Sequence, residues 1–136
     1  MHACVLVADE GELYALLDHF AKNDGEEDKP EARWDYFGIG GRFEGALPLK
    51  SPRKIRRLFG LLPAKYISGA SVAKKAEVDC ERLLSDPPAA VYFLGKLHEC
   101  PLFAEGEKLK RWEKEFRAVF DQIPADTTLR IVDAHS

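Results

Sequence analysis

The residues best suited to chemistry lie at the two ends of this chain. Asp133 and His135 are two positions apart, so on an extended strand their side chains share a face. His2 and Cys4 have the same spacing at the start. If the last strand pairs antiparallel with the first, His2, Asp133 and His135 meet as two imidazoles and one carboxylate. That set suits zinc or another divalent metal, or an acid–base pair in which the carboxylate orients an imidazole. The plainer alternative leaves the histidines solvated and has Asp133 cap the strand end.

Asp35, Gly40, Gly41 and Arg42 form a second candidate, a ligand-binding one. A Gly-Gly turn exposes backbone N–H groups and admits close approach, and a neighbouring guanidinium can fork onto a phosphate or carboxylate. In an enzyme built from both groups, Arg42 orients an anionic substrate while Asp133 and His135 move protons. In the structural alternative the glycines only shape a turn, Arg42 pairs with Asp35 or Asp133, and Trp34, Tyr36 and Phe43 fill the core.

Lys50, Arg53, Lys54, Arg56 and Arg57 put five cations in eight residues. On a helix anchored by Ile55, Leu58 and Phe59 they face outward, where they could grip phosphates. A charge run is ordinarily a solvated face, and a net charge of -3 speaks against broad nucleic-acid binding. His98 and Glu99 read as cross-strand surface polars, and His19 as surface. No nucleophile elbow, P-loop, dinucleotide fingerprint, paired-cysteine zinc site or H-E-x-x-H helix is present, and no cofactor is expected.

The elements that must position these residues follow from pattern. Residues 4–8 are an apolar, valine-rich run and read as a buried strand. Asp9 is placed to cap a helix, with Glu12 at the capping-box position and Leu13, Leu16, Leu17 and Phe20 along one face. Residues 23–33 read as a solvated loop, 34–39 and 42–47 as extended segments joined at Gly40-Gly41. Ser51-Pro52 starts a short helix that ends at Gly60. Residues 64–69 are ambiguous, and 71–84 read as a helix stopped by Asp86-Pro87-Pro88. Residues 89–94 and 97–103 form a hairpin about Gly95-Lys96, with Pro101 putting the return strand at an edge. Leu109, Trp112, Phe116, Val119, Phe120 and Ile123 make the clearest helical stripe, ended by Pro124. Residues 128–132 are a terminal strand. The sum is an α+β fold over one domain, residues 1–136. It has a single mostly antiparallel sheet with helices on one face, in a ferredoxin-like elaboration.

The chain's 136 residues are 46% hydrophobic and 32% charged, an ordinary globular balance. Cys4, Cys80 and Cys100 are odd in number and lack C-x-x-C spacing, which fits reduced thiols and a cytoplasmic location. The apolar run at the N-terminus is too short for a signal h-region, no stretch approaches a membrane span, and no membrane association is expected.

Three passages together resemble a family of small uncharacterised bacterial and phage proteins. They are residues 34–43, WDYFGIGGRF; residues 95–99, GKLHE; and residues 131–135, IVDAH. The family's series is roughly W-D-W/Y-Y-x-I-G-G-R-W, a G-x-W-H-E hairpin, and a C-terminal V-D-C-H. This chain departs from it at Phe43, Leu97 and Ala134, and the last departure removes a thiol. The resemblance implies no activity. The expectation is a non-enzymatic adaptor or inhibitor-like domain of phage type with a protein partner. The alternative is a small metal-dependent or acid–base enzyme acting on an anionic substrate.

Overall fold

A computed structural model describes residues 1–22 and 32–136. Most of the loop expected over residues 23–33 lies outside them. In chain order the elements are β1 (His2–Val7), α1 (Leu13–Leu17), β2 (Tyr36–Ile39), β3 (Leu47–Arg57) and β4 (Leu62–Ala70). There follow β5 (Val72–Lys74), α2 (Cys80–Ser85), β6 (Ala90–Phe93), β7 (Lys96–Glu99), α3 (Glu107–Gln122) and β8 (Thr128–His135).

The main sheet runs β2-β8-β1-β6-β7, with β5 also paired to β8. β1 and β6 are parallel and every other pair is antiparallel. β1, β6, β7 and β8 have the strand directions of a ferredoxin-like set, but the strand beside β1 is the first of the β6–β7 hairpin rather than the second. The central strands are apolar runs buried on both sides, as in Val5-Leu6-Val7 and Ala90-Val91-Tyr92.

Alternation along these strands builds two cores. Leu6, Val91, Leu129 and Ile131 face Trp112, Phe116 and Phe120 of α3 and Leu83 and Leu84 of α2. Val5, Val7, Val132 and Ala134 face Leu13, Leu17, Phe20 and Trp34 on the other side. The expectation of helices on one face is thus corrected, because the α1 segment carries enough large apolar surface to need a face of its own. α3 follows its stripe, and its last-turn carbonyls are met by Lys75, whose Nζ lies 2.8 Å from Phe120 O and 2.7 Å from Ile123 O.

Local signals were overridden at several points. Asp9 does not cap α1; Glu12 does, its carboxylate accepting from Ala15 N–H at 2.9 Å. Asp9 instead accepts from the N–H groups of Leu94 and Gly95, at 2.6 and 2.8 Å. These two residues, both at positive φ, are the β6–β7 turn, one position earlier than expected. Residues 41–43 are a tight 3-10 turn rather than the start of a strand. The helix expected over residues 71–84 is divided into β5, which finds pairing partners on β8, a turn at Lys75–Glu77, and α2 capped by Asp79.

The largest correction falls on residues 51–60. Residues 51–57 are no helix but the outer part of β3, paired with β4 through Arg53–Ile67, Lys54–Tyr66 and Ile55–Lys65, and residues 58–60 are a single 3-10 turn at the tip. Both cores are filled by other segments, so a helix here would have no apolar surface to dock on, whereas β4 satisfies the extended backbone directly. Pro52 falls inside a register irregularity, where a missing N–H costs no ladder bond. β3 and β4 form a two-stranded arm rooted in the core by Leu47, Leu49 and Ala70. Beyond that root, every residue from 50 to 68 is exposed except half-buried Arg53 and Ile67.

Candidate functional site

The β1–β8 ladder brings the two chain ends together, with His2 opposite His135 and Cys4 opposite Asp133. The ends are tied further: the N-terminal amine donates to Ser136 O at 2.8 Å and Ser136 N–H to Met1 O at 2.9 Å. His2 Nδ1 lies 2.7 Å from Asp133 Oδ1, and the His2 and His135 rings meet edge-on at 4.6 Å. The sequence-based convergence of His2, Asp133 and His135 is therefore present in the fold.

Asp133 is only 7% exposed, and its other oxygen accepts from the Arg42 backbone N–H at 3.0 Å. This explains the Gly40-Gly41 pair. Gly41 has φ +54°, and a Cβ there would stand 2.5 Å from Asp133 Oδ2, so only glycine lets the turn close over the carboxylate. Burial pushes the Asp133 carboxyl upward. The Arg42 N–H, the His2 hydrogen bond and the charges of His2 and Arg42 together outweigh it, leaving the group below the ordinary carboxylate range. Across the ladder, burial and the negative charges of Asp133 and Asp86 push the Cys4 thiol up to about 12, which keeps it protonated and unreactive.

His135 is held differently. Tyr36 stacks on its ring at 4.9 Å, and Asp35 Oδ2 stands 3.7 Å from Nδ1, beyond hydrogen-bond range, leaving that buried nitrogen without a hydrogen-bond partner. The Arg42 guanidinium is exposed and joins neither Asp35 nor Asp133 in an ion pair. The internal pairing expected of Arg42 is thus made by its backbone.

The cluster can orient an imidazole, but it is not shaped around a ligand. A hollow of about 520 Å³ lies close by, lined by Met1, Ala3, Trp34, Cys100, Pro101 and Ser136 among others. Asp35, Arg42, Asp133 and His135 take no part in it. Among the described residues no group of three or more His, Cys, Asp and Glu could hold a metal ion, so the metal set His2, Asp133 and His135 is not carried forward. His98 Nδ1 faces Glu115 at 3.4 Å, and Glu99 pairs with Arg33, so both are engaged across neighbouring elements.

The arm is the feature that sequence reasoning missed. Residues 47–70 hold six of the chain's 20 Lys and Arg and none of its 23 Asp and Glu. Cations occupy both faces, with Arg53, Lys65 and Ile55 on one and Lys54 with Tyr66 on the other. At the tip, Leu58, Phe59 and Leu61 are 62%, 102% and 84% exposed. Leu58 and Phe59 sit at φ +48° and +53°, a conformation that costs bulky L-residues about 1–2 kcal/mol each. A glycine-containing turn flanked by two runs of mixed cations and hydrophobics was the available signal.

Comparisons of the chain with protein-family profiles, with curated proteins and with solved structures gave no match.

Proposed function

We propose that this chain is a non-enzymatic binding domain, of adaptor or inhibitor kind, that meets a macromolecular partner through the β3–β4 arm. The reading rests on one observation: a paired ribbon free of carboxylates, ringed with cations and ending in fully exposed large apolar side chains. Apolar surface of that kind on an appendage outside both cores contributes nothing to folding, and a run of cations of which Arg53 alone meets a carboxylate among the described residues, that of Glu77 at 3.4 Å, favours an anionic surface.

The enzyme reading is weaker because Asp133 is committed internally. Its two oxygens are used by His2 and by the Arg42 N–H, and the neighbouring hollow is lined by none of Arg42, Asp133 and His135.

In-cell photocrosslinking tests the proposal. A photoreactive phenylalanine analogue replaces Phe59 in one variant and Glu113 on α3 in another. We expect a discrete adduct from position 59 that disappears when Arg56→Glu and Arg57→Glu are added. No adduct at position 59, or the same adduct from position 113, would overturn it.

A further inference from the structure

We propose that the surface met by the arm is an anionic phospholipid bilayer, with the tip inserted among the acyl chains and the cations at headgroup level. This rests on the reading of the arm as the working surface, and it departs from the sequence-based expectation of no membrane association. The chain has no helix long and apolar enough to cross a membrane among its described residues, so the contact proposed is peripheral.

The argument is the order of chemistry along the arm. From residue 58 to residue 64 the sequence is LFGLLPA, seven residues without a polar side chain. Immediately behind this cap come Arg57, which faces Leu62, and Arg56. One step further back are Lys65 beside Ile55, and Tyr66 beside Lys54. Apolar cap, then cations, then an exposed tyrosine among cations is the sequence of layers met on leaving a bilayer: hydrocarbon, phosphate, interface. Cations stand on both faces of the ribbon, as they must if the arm pierces a planar charged surface end-on.

Two features separate a bilayer from other anionic surfaces. A nucleic-acid groove offers phosphates to both faces of a ribbon, but an apolar wedge inserted there enters the narrow gap between base steps. It leaves no apolar medium for Leu58, Phe59, Leu61 and Leu62 together. A protein cleft would have to match the shape of this tip, where Phe59 projects fully into solvent from a turn closed by Leu61 N–H donating to Leu58 O at 2.9 Å. Acyl chains ask only for apolar area, not for shape.

The test uses the full chain with Phe59→Trp. The native Trp34 and Trp112 are buried, so the new indole reports on the tip. With vesicles of equal parts phosphatidylcholine and phosphatidylglycerol, we expect a blue shift of its emission and co-sedimentation, and neither with phosphatidylcholine alone. Leu58→Asp with Leu61→Asp abolishes sedimentation. Arg56→Gln with Arg57→Gln weakens it about 30-fold at low salt, corresponding to about 1 kcal/mol for each cation near the surface. Circular dichroism of each variant, unchanged from the parent, excludes misfolding, since these residues lie outside the cores. Absence of the blue shift, or vesicle binding indifferent to the tip pair, overturns the lipid inference. If position 59 still crosslinks to a protein in cells, the arm reading survives that failure; if it crosslinks to nothing, both fall. Tight binding of a DNA duplex through the same cations, without vesicle binding, also overturns it.

Discussion

At the scale of single residues, Asp133 is the chain's one buried charged side chain among those described, and the fold is arranged around its charge. Its carboxyl titrates below the ordinary range in the folded state, so its contribution to stability is fully present above the unfolded value of about 4. That contribution is lost as pH falls through the lowered folded value. Asp133→Asn is expected to cost about 1–3 kcal/mol near neutral pH, since the Arg42 N–H and His2 lose an ionised acceptor. It should also flatten the acid limb of the stability curve. Denaturant melts of both proteins across the acid range check this, and an unchanged acid limb would contradict it. Asp133 and His135 could be picked out from the sequence because their spacing shares a strand face and the terminal strands are plainly apolar. What could not be read was that the Gly40-Gly41 turn folds back onto Asp133, since that closure joins residues 91 apart in the chain.

At the scale of elements, legibility followed how much of an element's partner lay nearby. α3 was readable because a 16-residue amphipathic helix carries its own stripe and needs only one apolar surface. The arm was not, because cations and leucines over residues 51–60 suit a helix equally well locally. The deciding factor was pairing with β4 and the absence of a free core face. α2 and β5 were merged for the same reason, with the edge of β8 drawing Val72–Lys74 out of a helical pattern. α3 also ends on a device invisible in sequence, the Lys75 ammonium against its last carbonyls and over the Phe120 ring at 4.5 Å. Lys75→Met should therefore destabilise the protein by about 2 kcal/mol and speed amide exchange in the last turn of α3. A melt and an exchange profile indistinguishable from the parent would count against that role.

At the scale of the whole molecule, the chain divides its labour. A sheet with apolar layers on both faces fixes the two termini side by side, and an arm outside those layers carries cations and exposed apolar side chains. The sequence allowed the first half to be inferred, including the neighbouring antiparallel ends, because strand hydrophobicity reports burial directly. The second half depended on which segments the cores left out, and that is decided only once the others have packed. The binding proposal requires that the terminal cluster be structural, and the amide of Arg42 reports on this. Hydrogen exchange at that N–H, followed by NMR in the free protein, should be as slow as in the β1–β8 ladder and should accelerate strongly in Asp133→Asn. Exchange as fast as in the exposed arm would mean that Asp133 is not spent on the turn, and would return its carboxylate to the list of groups available for catalysis.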